Sequence, residues 1–170
     1  MRALVWIVED TWEATVAEAA SYLPQDADIT LLHVAGSEAE TVVGAVRHGL
    51  LGRTHRPPGA EPGPLRAISE QAADELLTEA RARLGRPARS QARRGRVERE
   101  VVAAAEGMDV LVLARDGDHE HLGPRSLGPA ARFVVDHAPC RVLLIWPDAA
   151  PSVATIPPPP ERPPSPPPIS

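Results

Sequence analysis

Residues 108–147 read MDVLVLARDGDHEHLGPRSLGPAARFVVDHAPCRVLLIWP, and the fold is decided in this stretch. Met108 to Leu113 and Cys140 to Trp146 are short, nearly continuous apolar runs rich in Val and Leu. Runs of that length suit strands covered on both faces of a parallel sheet. Between them, Gly128 stands as a helix cap with Pro129 at the first helical position, where a missing N–H costs nothing. The predicted helix passes through Phe133 and Val134 to His137, and Ala138-Pro139 turns the chain into the second run. Strand, loop, helix, strand is the unit of an α/β fold.

The same alternation extends toward the N-terminus. Leu4 to Val8 and Ile29 to Val34 are further apolar runs, and Ala88 to Arg93 is a weaker one. After the first, Asp10 with Glu13 predicts a capping box, and Trp12, Val16, Ala19 and Leu23 share one helix face before Pro24. Ser37-Glu38-Ala39-Glu40 predicts another capping box, opening a helix with Val42, Val46 and Leu50 in line. Arg53 to Pro64 reads as a Pro/Gly-rich loop, so residues 41–66 form an insertion of helix and loop. Beyond it Ile68, Ala72, Leu76, Ala80 and Leu84 recur at helical spacing, closed by Gly85 and Pro87. Val97, Val101 and Ala105 mark another helix, ended by Gly107. Right-handed crossovers then place helices on both faces, which predicts a doubly wound parallel sheet of five strands over residues 1–147. Residues 148–170 read as a disordered proline-rich tail, ending in Pro157-Pro158-Pro159-Pro160 and Pro166-Pro167-Pro168.

Composition excludes several classes. The single cysteine, Cys140, rules out an internal disulfide framework and a multi-cysteine zinc site, and fits a reducing, cytoplasmic setting. No apolar run reaches the roughly 20 residues that span a bilayer. A net charge of −5 gives no general attraction to nucleic acid or anionic membrane. All 18 basic residues are arginine, so a Walker A loop, which needs lysine, is absent. There is neither a G-x-S-x-G elbow nor an H-E-x-x-H helix, and the expectation is that the protein is not an enzyme.

His137-Ala138-Pro139-Cys140 before an apolar strand, with LVLARDG (111–117) upstream, resembles the C-terminal half of the universal stress protein family. LVWIVEDTWEA near the N-terminus and ITLLHV (29–34) resemble its first two strands more loosely. The resemblance covers residues 1–147. It implies the strand order 3-2-1-4-5 of an adenine nucleotide alpha hydrolase-like fold, and a homodimer paired through the last strand. It also implies a stress-response role, an unidentified protein partner, and, in some members, ATP held by G-2x-G-9x-G-[ST].

That last motif is altered. Ala114 stands at the first glycine position and Gly117 at the second, while Gly128 follows after ten residues instead of nine. Pro129 replaces the final Ser or Thr and offers neither hydroxyl nor amide hydrogen. The loop carries Asp116, Asp118 and Glu120 where a triphosphate needs cations or bare amides. Carried over position by position, the resemblance makes Glu9, Asp10, Val34, Arg115, Gly117, Gly128, Pro129 and Ala130 the cofactor-binding candidates. Glu9 stands where the family has its adenine-side aspartate, with Asp10 beside it. Val34 matches the position near the ribose and base. The expectation is that no cofactor is resident and that ATP is the ligand to test. What discriminates is whether the amides around Gly117 and after Gly128 converge on an open pocket.

Other features have plainer readings. His119-x-His121 in a charged turn lacks a fixed third ligand, so no metal is expected. Arg81, Arg83, Arg86, Arg89, Arg93, Arg94, Arg96 and Arg99 form a basic stretch without interleaved aromatics, and nucleic-acid binding is not expected. Cys140, at the start of a buried strand, reads as a small hydrophobe.

Overall fold

Each apolar run becomes a strand. The strands are β1 (Arg2–Trp6), β2 (Asp28–Gly36), β3 (Arg89–Gly95), β4 (Val110–Ala114) and β5 (Arg141–Ile145). The helices between them are α1 (Trp12–Tyr22), α2 (Pro64–Leu84), α3 (Val97–Ala104) and α4 (Pro129–His137). The computed structural model describes residues 1–36 and 64–156, together with Pro158. The five strands are all parallel, in the order β3-β2-β1-β4-β5.

Successive side chains of a strand point to opposite faces, and the core divides accordingly. Ala3, Val5, Ile7, Ile29, Leu31 and Val112 pack beneath Val16 and Ala19 of α1 and Leu77, Ala80 and Leu84 of α2. Leu4, Trp6, Leu32, Val34, Leu111 and Leu113 pack beneath Val101 and Ala104 of α3 and Ala131 and Val134 of α4. Both faces of β1 are therefore apolar, which is why its sequence shows no polar alternation. Each fully buried Val, Leu or Ile among them contributes about 1.5–3 kcal/mol. None of the described helices is long and apolar enough to cross a membrane.

Helix ends follow the punctuation in the sequence with one change. Gly128 is the N-cap of α4 and Pro129 its first residue, as expected. Gly85 and Gly107 adopt φ values of 68° and 73°, the left-handed region that closes helices and favours glycine. The N-cap of α1, however, is Thr11 and not Asp10, and no side chain caps it. The Thr11 N–H is taken by the Val8 carbonyl at 3.0 Å, so a tight turn places Asp10 outside the helix with its side chain exposed.

In α2 the buried line is Ala73, Leu77, Ala80 and Leu84, while Ile68 is 64% exposed. Two adjacent lines at helical spacing share Ala80 and Leu84. Periodicity thus identifies the helix without saying which line meets the sheet. Pro64 opens this helix and does not close the preceding loop. The capping box at Ser37 and the helix expected through Leu50 lie outside the described residues.

One arginine ties the end of α1 to the turn after α2. The Arg86 guanidinium donates to the carbonyls of Ala19 (3.2 Å), Leu23 (3.3 Å) and Pro24 (2.7 Å) at the end of α1. The last turn of α1 has no basic residue of its own, so Arg86 supplies the cation its dipole favours. Arg86→Ala is expected to cost about 2 kcal/mol, a fall in Tm of roughly 4–8 °C. Thermal unfolding followed by circular dichroism checks this, and a change below about 1 °C would contradict it.

Candidate functional site

Strand order reverses between β1 and β4, and in open α/β sheets ligands bind beyond the carboxyl ends of strands at such a point. Two loops meet there: residues 7–11 after β1 and residues 115–128 after β4. The second is the phosphate-loop region of the sequence, and the destination of its amides decides what it can hold.

Those amides turn inward. Gly117 donates to the Ser126 carbonyl at 3.1 Å and Asp118 to the Arg125 carbonyl at 2.9 Å, closing the loop into a narrow ladder. A Cβ at Gly117 would lie 2.2 Å from the Arg125 oxygen, so only glycine allows this approach. Glu120 donates to Asp118 Oδ1 at 2.8 Å, and Gly128 donates to Asp116 Oδ1 at 2.7 Å. The Asp116 carboxylate therefore sits at the N-terminus of α4, where the helix favours an anion. Glu120's amide, followed by the His121 ring, holds the Asp118 carboxyl below the usual carboxylate range.

Beneath the ladder Arg115 is fixed from several sides. Its guanidinium donates to Ser126 Oγ and lies 4.5 Å over the Trp146 ring. Burial draws its pKa below the ordinary arginine value, and its buried Nε has no hydrogen-bond partner among the described residues. Ser126 is fully buried, and its hydroxyl donates to the Gly123 carbonyl at 2.7 Å. The His119 and Trp146 rings pack nearly perpendicular with centroids 6.5 Å apart, and His119 Nε2 is 2.9 Å from the Arg115 carbonyl.

The candidate residues fall into separate places. Pro129 and Ala130 line a cavity of about 410 Å³ with Gly36, Gly95, Val97 and Phe133, on the α3–α4 side of the sheet. Glu9 and Asp10 line a groove of about 630 Å³ with Trp12, Arg83, His119 and Asp148, on the α1 side. Val34 is only 6% exposed and belongs to the core under α3 and α4. Arg115, Gly117 and Gly128 are committed to the loop itself. Asp116, which the sequence marks only as one of three repelling carboxylates, and Ser126, which it does not mark at all, hold the loop together. No local signal marks them, because their partners are 12 and 11 residues away.

The remaining features find partners within the fold. Arg89 pairs with Asp28 at 2.6 Å, Arg93 with Glu100 at 3.5 Å and Arg96 with Glu98 at 2.9 Å. Arg99 lies 4.8 Å over the Phe133 ring, so much of the basic stretch is spent on β3 and its neighbours. His121 pairs with Asp118 at 3.0 Å. Among the described residues no group of three or more His, Cys, Asp or Glu side chains is placed to hold a metal ion. Burial, followed by the Asp109 carboxylate, pushes the Cys140 thiol up, away from the reactive thiolate.

No protein-family model matches the sequence, and no curated protein does. Solved structures do. The hypothetical protein MJ0577, whose structure was used to assign a biochemical function, aligns with a TM-score of 0.61 and 18% identity, covering 85% of this chain and 94% of that one. The universal stress protein UspA from Lactobacillus plantarum aligns at 0.54 and 19%, covering 85% and 97%. The chain has the universal stress protein fold. A universal stress protein solved in complex with cAMP aligns at 0.59 and 14%, covering 85% and 96%. The strand order 3-2-1-4-5 that the resemblance implied is the order found. The loop at residues 115–128 sits at the switch point of a universal stress protein fold, with its own carboxylate at the α4 N-terminus.

Proposed function

We propose that this chain is a non-catalytic regulatory module of the universal stress protein type, acting in the cytoplasm through dimerisation and protein contacts. The observation that carries this reading is the Gly128 N–H donated to Asp116. An anion site already filled by a carboxylate repels a phosphate, and unit charges a few ångströms apart near a surface interact by about 1–4 kcal/mol. The inward amides of Gly117 and Asp118 and the absent N–H of Pro129 support the same reading. So does the HAPC segment, which joins α4 to β5.

Dimerisation finds support in the two edges of the sheet. On β3, Arg89, Arg93 and Arg94 provide the charge that discourages strand addition. On β5, Val142, Leu143 and Leu144 are apolar and only partly buried, beside an edge with no neighbouring strand among the described residues. Sedimentation equilibrium at micromolar protein is expected to give twice the chain mass. Leu143→Arg is expected to weaken that association at least tenfold while circular dichroism retains the folded signal. A wild-type monomer at these concentrations would refute the dimer.

A nucleotide-gated switch is the second reading. It is favoured by the cavity of about 410 Å³ beside Pro129 and Ala130, and by the neighbour solved with cAMP. In that reading ATP binding would displace Asp116, and any hydrolysis would be slow and metal-assisted.

A further inference from the structure

Composition places the chain after Pro147 in the tail, yet residues 148–156 return to the body of the domain and touch the loop after β4. Val153–Thr155 forms a single 3-10 turn, capped by Ser152, whose Oγ accepts the Ala154 N–H at 3.2 Å. Within this turn Val153 and Ile156 point outward, 76% and 57% exposed, whereas Thr155 is half-buried. The Thr155 hydroxyl uses both of its capacities. It donates to the Ser152 carbonyl at 2.7 Å and accepts the Leu122 N–H at 3.0 Å, across 33 residues of sequence. A second point of contact lies at the other end of the segment, where Asp148 Oδ2 is 3.7 Å from His119 Nδ1.

These two contacts hold the loop at His119 and at Leu122. Beside the Thr155–Leu122 contact lies a cavity of about 290 Å³, with Asp118, His121, Leu122, Gly123 and Arg125 on one side and Thr155 on the other. The loop ladder at Gly117–Ser126 and Asp118–Arg125 closes immediately behind it. We infer that residues 148–156 are a strap that holds the 115–128 loop in its inward-turned state, with the Thr155 hydroxyl as its buckle.

The physical reason is local. A loop with Gly117, Gly123 and Gly128 has many backbone states to lose. The ladder fixes its base, and the strap fixes its tip through Leu122. While the strap is in place, the Gly117 and Asp118 amides stay on the Ser126 and Arg125 carbonyls. Released, the tip is free and the ladder opens more often, presenting those amides at the switch point. The strap is thus an autoinhibitory contact on the loop after β4, at the switch point where an anion would be received. It rests on the Thr155 hydrogen bonds, the Asp148–His119 contact and the reading of this loop as the anion-receiving element, and stands whether or not the dimer forms.

Amide hydrogen exchange on the full chain, resolved by residue, tests it in wild type, Thr155→Val and Thr155→Ser. Valine keeps the branched shape and removes the hydroxyl, and serine keeps the hydroxyl. In Thr155→Val the Leu122, Gly117 and Asp118 amides are expected to exchange about tenfold faster, the effect of losing one hydrogen bond. In Thr155→Ser they are expected to remain near wild type, and in both variants the β1 amides should stay protected, reporting an intact fold. Unchanged exchange at Leu122 in Thr155→Val would remove the buckle. Faster exchange confined to Leu122, with Gly117 and Asp118 unchanged, would show a contact that restrains nothing and would overturn the strap.

Discussion

Gly117→Ala is expected to lower the stability of the domain by about 3 kcal/mol, the sum of overpacking and weakened loop hydrogen bonds. An added Cβ would lie 2.2 Å from the Arg125 oxygen, 2.9 Å from the Ser126 carbonyl carbon and 3.1 Å from the Leu127 nitrogen. All three are backbone atoms, so no side chain can swing aside. The two strands of the loop must separate, which weakens the Gly117–Ser126 and Asp118–Arg125 hydrogen bonds together. Urea unfolding measures the effect as a shift in midpoint at unchanged slope. A loss below about 1 kcal/mol would mean that the loop opens at little cost, and that its closed form contributes little to the domain.

The second large effect concerns ligand binding. Asp116→Ala removes the carboxylate from the α4 N-terminus and frees the Gly128 N–H. Loss of such a cap is expected to cost about 1–2 kcal/mol of stability. At the same time the affinity for ATP should rise at least tenfold, because one like charge is gone and one donor is released. Asp116→Asn separates the two contributions. Its amide oxygen can still accept from Gly128, so stability should stay near wild type while the charge repulsion disappears. Calorimetric titration of the three proteins with ATP and magnesium reads this directly. Equal affinity in all three would mean that Asp116 does not guard the site.

How the sequence carried this information depends on the range of the interactions. Strand runs such as Leu4 to Val8 are written locally, because both faces of β1 are buried and every residue must be apolar. The start of α4 is equally local, with Gly128 and Pro129 adjacent. Where two readings share residues, local pattern fails: Ala80 and Leu84 belong to either line of α2, and only the sheet selects Ala73 and Leu77. Asp10 looked like a cap because Glu13 follows three residues later, but the Val8–Thr11 turn moved the helix start by one residue.

The site was the least visible part, for the same reason. The changes from the family motif at Ala114 and Pro129 could be read directly, and they pointed to an altered anion site. What occupies that site could not be read. Asp116 looked like one of several repelling carboxylates until loop closure put it on the Gly128 amide. Likewise the return of the chain at Thr155 depends on a hydroxyl meeting an amide 33 residues away. Proline-rich composition after Pro147 carries no trace of that contact.

The most direct test of a self-occupied anion site is isothermal calorimetry of the full wild-type chain with ATP, with and without magnesium. No binding heat at millimolar nucleotide is predicted, because Asp116 takes the Gly128 N–H and the amides of Gly117 and Asp118 turn inward, away from any phosphate. Micromolar binding by the wild-type chain would contradict it, and would make the loop a nucleotide-gated switch.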